Sequence, residues 1–457
     1  MTEGQGLREF DIVVLGMGPG GEYAATELAK SGLSVAGVEA RLVGGECPYW
    51  GCVPSKMMIR AANLLTEGCR IPAMAGASMV SPNWALVAGR IRAEATDNWD
   101  DTAAADRFTS AGGTLFRGHG RITGPGEVTV GANLLRARRG VVINTGTEPA
   151  VPPIPGLAGT PFWTNREVIE TEDVPQSLAV LGGGAVGAEL AQVFARFGAH
   201  VTVVEAADRL LPMEEPESGE LIAKVFTDEG ITVSTGARAE SVRQDAGGFS
   251  LTLADASQVR ARRLLVATGR ATNLASLGIG ALGLDESAGS IPVDDQMRAA
   301  PGVWAIGDVV GHGAYTHMSM YQAEIAVSAI LGRPHHRAEY HAVPLVTFTD
   351  PEIGRVGMTA AEARDRLGNV ATGSSQIPAS TRGWIHKAGN AGFIKLVADA
   401  DRGVLVGATS AGPMGGEVLS MLTLAVHAAV PVRQLTAMIY AYPTFHRAVR
   451  DALEQLS

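Results

Sequence analysis

Apolar and polar positions follow two rhythms along the chain. Residues 10–15 (FDIVVL) form a short, nearly continuous apolar run, as expected of a strand buried on both faces of a parallel sheet. The run meets Gly16-Met-Gly18-Pro-Gly-Gly21, and helical spacing follows in EYAATELAKSG. A second apolar run, LSVAGVE, ends at Glu39. The same succession returns at LAVL (178–181), Gly182-Gly-Gly184-Ala-Val-Gly187, the helical AELAQVFARFG, and HVTVVE ending at Glu205. In each copy the acidic residue stands 18 positions after the last motif glycine.

One such motif is weak; two at matched spacing predict two strand–turn–helix–strand–acid units. The first glycine permits the tight turn, the second lets a pyrophosphate approach the backbone, and the third lets helix and strand pack closely. The acid then accepts from ribose hydroxyls. Two dinucleotides are expected, not one.

Further turns punctuate the rest. INTGTEP (143–149) and VATGRATN (266–273) each end an apolar strand in Thr-Gly and would return the chain beside a dinucleotide. The proline-dense AVPPIPGL (150–157) reads as a linker, and GRPHHRAEYHAVP (332–344) as a second soft boundary. Beyond it, GFIKLVAD and GVLVGAT read as strands and GGEVLSMLTLAVHAAV as a helix, so the last third is expected to be an α+β domain.

Composition narrows the class. The 457 residues suit about three domains, and 46% apolar content with 18% charged residues excludes a disordered chain. The net charge of −10 argues against a nucleic-acid partner. Three cysteines cannot staple a chain of this size, and 57 glycines fit many tight turns and close backbone approaches. The start lacks the basic, then apolar, character of a signal peptide, and no apolar stretch approaches the roughly 20 residues of a spanning helix. A soluble, cytoplasmic protein without membrane partners is expected.

Two of the cysteines carry the candidate chemistry. Cys47 and Cys52 lie in GGECPYWGCVPSK (44–56), ahead of the helical SKMMIRAANLL. No second pair or closely spaced histidines make a zinc site, so no metal is expected. Spacing alone leaves a redox pair and two inert thiols equally open. A cysteine at a helix start, with Lys56 nearby, has its thiolate stabilised, which favours the redox pair. Cys69 has no partner at a useful spacing and is expected in the core.

Together with VWAIGDV (303–309), VTFTDPEIGRVG (346–357) and YPTFHRA (442–448), these motifs resemble the class I flavoprotein disulfide reductases, the family of glutathione reductase, dihydrolipoamide dehydrogenase, mercuric reductase and soluble transhydrogenase. The resemblance spans residue 10 to about 447 and implies an α/β fold: two Rossmann-like domains plus an α+β C-terminal dimerisation domain. It divides the chain into an FAD domain (1–150 and 271–335), an NAD(P) domain (151–270) and a dimerisation domain (340–457). It implies FAD held by Gly16, Gly18, Gly21, Glu39, Gly45, Lys56, Thr145, Gly146, Arg270, Gly307, Asp308, Thr316 and His317. Gly182, Gly184, Gly187, Glu205 and Gly269 would hold the pyridine nucleotide. Lys56 and Glu189 match the ion pair beside the flavin N5, Cys52 the thiol facing the flavin, and Cys47 the thiol that attacks substrate. Glu205 would repel a 2′-phosphate, which favours NADH over NADPH, although Arg209 lies near.

The pattern also departs from the family. Tyr442-Pro443-Thr444 and Arg447 stand where the disulfide-reducing members carry a His-Pro and a Glu, contributed across a homodimer. A tyrosine hydroxyl ordinarily titrates at about 10 against about 6.5 for histidine, which makes it a poor proton shuttle. His446 is the alternative. Pro48-Tyr49-Trp50 would narrow access to the thiols, and Ala185 stands where glutathione reductase covers its flavin with Tyr. Three readings follow. The first is reduction of a small disulfide through Cys47 and Cys52. The second is a diaphorase passing electrons from the flavin to quinones or other acceptors. The third is a non-catalytic redox sensor.

Overall fold

The computed structural model describes residues 6–456. The chain divides into two compact units, one built from residues up to Ser55 with 89–150 and 270–339, the other from 56–88, 151–269 and 340 onward.

The first unit is organised by the strand Leu7–Leu15, which pairs in parallel with Val35–Glu39 on one side and Asn133–Ile143 on the other. Ile12 to Leu15 are at most 1% exposed, so the apolar run is covered on both faces, as a central parallel strand requires. Thr114–Arg117 extends the sheet past Val35–Glu39, while Val303–Ala305 and Arg298–Ala300 extend the other edge. Strand order therefore reverses at Leu15, and in open α/β sheets ligands bind at that switch point, outside the carboxyl ends of the strands.

The second unit repeats the device with four parallel strands, Thr232–Ser234, His200–Val204, Ser177–Leu181 and Arg263–Val266, in that order. A three-stranded antiparallel sheet (Ala239–Asp245, Gly248–Leu253, Gln258–Ala261) adds to it. The last third forms a five-stranded antiparallel sheet in the order Pro344–Thr347, Glu352–Gly357, Val404–Gly412, Phe393–Asp399, Val370–Gln376. The helices Gly415–His427 and Arg447–Leu453 bury Leu419, Leu422, Val449 and Leu453 against Leu396 and Ile394. Each fully buried aliphatic side chain there contributes about 2 kcal/mol.

Three local expectations are corrected. Leu7–Leu15 begins three residues before its apolar run because Leu7 pairs with Leu134. The proline-dense stretch does open at a boundary between the two units, Ala150 to Val151, and it is held down: Leu157 is fully buried and Pro155 O accepts from Val242 N–H at 2.9 Å. The helix expected after Pro54 starts at Cys52, because proline is tolerated in a first turn whose N–H groups lack partners anyway. Cys69 is exposed, since the buried stripe of Met58, Ile59 and Ala62 runs out before the last turn. Among the described residues, no helix is long and apolar enough to cross a membrane.

Candidate active site

The first glycine motif turns the chain sharply. Gly16 has φ +87°, and a Cβ there would lie 2.3 Å from Asn144 O. Gly18 caps the helix Pro19–Lys30, whose proline at the first position gives up an N–H that would have no partner. A Cβ on Gly21 would meet Gly16 O at 2.0 Å, so helix and strand touch through backbone alone. Asn144 Nδ2 donates to Gly16 O at 3.2 Å, and its Oδ1 lies 3.2 Å from Ser319 Oγ. Glu39 accepts Met17 N–H on Oε2 and Arg41 N–H on Oε1, both at 2.7 Å. Burial pushes its carboxyl up despite those two donors. Each oxygen keeps a further lone pair, which suits a ribose diol. Asp101 fixes the following loop, accepting Val43 N–H at 2.5 Å and the Arg117 guanidinium at 2.5 and 2.8 Å. Gly45 closes this wall, since a Cβ there would sit 2.7 Å from Gly18 Cα.

The second motif reproduces the bonding. Gly182 has φ +108° with its would-be Cβ 2.4 Å from Ala267 O, and that of Gly187 would lie 2.0 Å from Gly182 O. Glu205 accepts Gly183 N–H at 2.6 Å on Oε2 and Ala207 N–H at 2.7 Å on Oε1. Around Gly184 and Gly269 a Cβ would meet nothing within 4 Å. The Arg209 guanidinium is engaged elsewhere, by Pro212 O at 2.9 Å and Asp208 at 3.2 Å.

The thiols sit on two consecutive helices. Cys47 is half-buried in the short helix Glu46–Tyr49, and Cys52 is the exposed first residue of Cys52–Arg70. All three cysteines are unbridged. Thr316 Oγ1 lies 3.5 Å from Cys52 Sγ. The Cys47 thiol is pushed far above the ordinary thiol range, first by its hydrogen bond with the Cys52 side chain, then by burial and by charge on Cys52. Cys47, Gly44, Pro48 and Thr316 line a cavity of about 330 Å³. Tyr49 lines the same cavity as Cys47, 6% exposed and packed against Gly44, and Trp50 beside it is half-exposed.

A polar chain flanks the thiol loop. Arg270 donates to Glu46 at 2.5 Å and to Thr147 Oγ1 at 2.6 Å, and Thr147 Oγ1 donates to Asp308 Oδ2 at 2.9 Å. Burial raises the Asp308 carboxyl. Gly307 N–H donates to the buried Gln322 Oε1 at 2.7 Å. Thr145 and His317 are exposed, Gly146 is half-buried, and His317 stacks on Tyr315 with ring centroids 5.3 Å apart. In the second unit, Lys56 Nζ lies 2.8 Å from Glu189 Oε2, whose side chain is 6% exposed.

Each motif, taken by itself, therefore fits a dinucleotide: a backbone wall stripped of side chains, a helix start, and a carboxylate held by two N–H donors with lone pairs to spare. The pyridine nucleotide-disulphide oxidoreductase description matches residues 10–329, and the dimerisation domain of the same family matches 343–453. The chain belongs to the pyridine nucleotide-disulphide oxidoreductase family.

Within this family the chain is 34% identical to a dihydrolipoyl dehydrogenase of Chlorobaculum tepidum, over 97% of its own length and 96% of that protein's. It is 33% identical to a mercuric reductase of Acidithiobacillus ferrooxidans, over 98% of this chain and 82% of that one. Among solved structures, the HOCl-induced flavoprotein disulfide reductase RclA of Escherichia coli superposes with a TM-score of 0.85 at 25% identity, covering 97% of this chain and 99% of RclA. The protein is thus an oxidoreductase, and its family implies FAD and a pyridine nucleotide.

Tyr442 is 68% exposed and donates to Thr381 Oγ1 at 3.1 Å. His446 caps the helix Arg447–Leu453, and Arg447 lies 3.2 Å from Asp451. Several residues that shape the site are not singled out by the sequence: Asn144, Asp101, Glu46, Thr147 and Phe348. Glu46 and Thr147 stand inside the motifs GGECPYWGCVPSK and INTGTEP, so their place is visible there but their partners are not.

Proposed function

We propose that the chain is an FAD-dependent reductase that takes two electrons from NADH and delivers them through Cys47 and Cys52 to a small disulfide. The observation that carries this reading is Cys52 at a helix start with its side chain hydrogen-bonded to Cys47 and the Thr316 hydroxyl beside it. Gly16, Gly18, Gly21, Glu39, Gly45, Asp308 and Thr316 are assigned to FAD, with Thr145, Gly146, Arg270, Gly307 and His317 around them. Gly182, Gly184, Gly187, Glu205 and Gly269 are assigned to the pyridine nucleotide. Bound there, FAD supplies the hydride acceptor that links the nucleotide to the thiols.

The residues then divide the work. Lys56 and Glu189 form the ion pair assigned to the hydride-receiving face. Cys52, at the positive end of its helix, holds the first thiolate. Cys47, kept protonated by that charge, hands its proton to a base before its sulfur attacks the substrate disulfide. The attack forms a mixed disulfide and expels one thiolate. Cys52 then attacks Cys47 Sγ, expels the second thiolate and leaves the Cys47–Cys52 disulfide. Two protons end on the two product thiols, the one Cys47 gave up and one taken from solvent. Tyr442 or His446, supplied by the second copy of a homodimer, is assigned the proton transfer. The carboxylate of Glu205 and the engagement of Arg209 with Pro212 support NADH, which a lower KM for NADH than for NADPH checks.

Replacing Cys47 by serine tests the route. Loss of disulfide reduction with retained FAD is expected; disulfide turnover within twofold of wild type overturns it. A second reading, quinone reduction that bypasses the thiols, draws on Tyr442 standing where a histidine shuttle is usual. It is favoured if the Cys47→Ser enzyme keeps quinone turnover and the wild type shows no disulfide turnover.

A further inference from the structure

The helix Ala185–Arg196 presents Glu189, Gln192 and Arg196 along one face, three and four residues apart. All three engage the segment Phe348 to Asp350. Asp350 N–H donates to Gln192 Oε1 at 2.7 Å, and Gln192 Nε2 donates back to Asp350 O at 2.9 Å. Arg196 and Arg70 each reach Asp350 Oδ2 at 2.9 Å. The backbone around Phe348 is thereby anchored to the helix that carries Glu189.

Phe348 uses that anchorage twice. Its N–H donates to Glu189 Oε1 at 2.8 Å, while Oε2 of the same carboxylate takes Lys56 Nζ at 2.8 Å. Its ring lies under the ammonium, with Lys56 Nζ 4.7 Å from the centroid. A lysine amine sits on a flexible four-carbon stem and, given one carboxylate, still samples several rotamers. A ring face on a second side removes most of them, and the attraction is strongest where water is partly excluded. The Lys56 side chain is only 35% exposed.

We propose that Phe348 is a positioning residue that fixes both halves of the Lys56–Glu189 pair, its N–H setting the carboxylate and its ring the ammonium. The proposal rests on reading that pair as the one beside which hydride arrives.

The chain has five lysines, so ¹³C-dimethylation of the FAD-loaded enzyme gives few NMR signals, and a Lys56→Arg variant assigns the relevant one. In the wild type the Lys56 signal is expected upfield of the other lysines, displaced by the ring face. Phe348→Leu should abolish the displacement, and Phe348→Tyr should keep it. Reduction of the bound flavin by NADH should slow about fivefold in Phe348→Leu, the size of one cation–π contact, with unchanged NADH affinity, and should recover in Phe348→Tyr. An unmoved Lys56 signal in Phe348→Leu overturns the proposal, as does a wild-type reduction rate. Lys56→Met separates the underlying reading: if that enzyme is reduced by NADH at the wild-type rate, the pair has no role in hydride arrival, whatever the NMR shows.

Discussion

The two glycine motifs share a backbone and differ in what surrounds it. In both, the third glycine touches the first one's carbonyl, and the acid is held by two N–H groups in the same pattern. The first is walled in. Gly20 lies under Ser319, Gly45 presses on Gly18, Asn144 bonds Gly16, and Asp101 ties down the loop beyond Glu39. The second is open, with nothing near Gly184 and with Val186, the counterpart of Gly20, 47% exposed. A motif enclosed by its own fold suits a cofactor that stays, and one facing solvent suits a nucleotide that arrives and leaves on every turnover. On the proposed assignment, with FAD at the first motif and the pyridine nucleotide at the second, retention would be decided by the residues around the fingerprint and not by the fingerprint itself.

Exchanging the two counterparts breaks this contrast most severely. A Cβ on Gly20 would lie 2.2 Å from Ser319 Oγ and 2.7 Å from Ser319 O, and the second contact is backbone that cannot swing away. Gly20→Val should cost about 3 kcal/mol or more and release FAD. The flavin-to-protein absorbance ratio and the melting temperature check it. The reverse change, Val186→Gly, removes an exposed side chain near a helix start and should cost about 0.5 kcal/mol, with NADH turnover near wild type.

A milder change addresses the open copy. Gly184→Ala meets no atom within 4 Å in the protein itself, so the fold should be unaffected. The new methyl would occupy the line along which a pyrophosphate approaches the helix start. A KM for NADH raised about tenfold, at unchanged flavin content and melting temperature, is expected from roughly 1.4 kcal/mol of lost binding. An unchanged KM would mean that the nucleotide does not use this turn.

What could be read ahead of the structure follows from how far each constraint reaches along the chain. The span from Gly16 to Glu39 is local: apolar runs, glycine sterics and spacing determine it, and the strand–turn–helix–strand architecture was legible from them. Asn144 acts on Gly16 from 128 residues away, Asp101 on Val43 from 58, and Phe348 on Glu189 from 159. A lone polar or aromatic residue carries no sign of so distant a partner. The same reason hides how Tyr49 packs beside the thiols. Its place between the thiols was plain, but the inward packing against Gly44 depends on a turn only the folded loop makes. The thiol pair was legible through its motif, whereas Cys69 was misplaced because helical spacing does not tell where a helix leaves the core.

The smallest effect concerns a half-buried acid of the enclosed copy, Asp308. Burial raises the Asp308 carboxyl above its ordinary value of 3.8 even though Thr147 donates to it. For a group whose folded pKa is raised, the stabilising contribution is complete below the unfolded value and is lost as pH rises through the folded one. Asp308 should therefore weaken the fold progressively as pH climbs above about 4, because the ionised carboxylate is the form that burial disfavours. An asparagine keeps an oxygen to accept from Thr147 and has no charge to lose. The melting temperature of Asp308→Asn relative to wild type should accordingly rise with pH across this window, by on the order of 2 °C. Scans of both proteins from about pH 4 to about pH 7 check it, and a difference that falls with pH would mean that neighbouring Arg270, 3.8 Å away, outweighs burial.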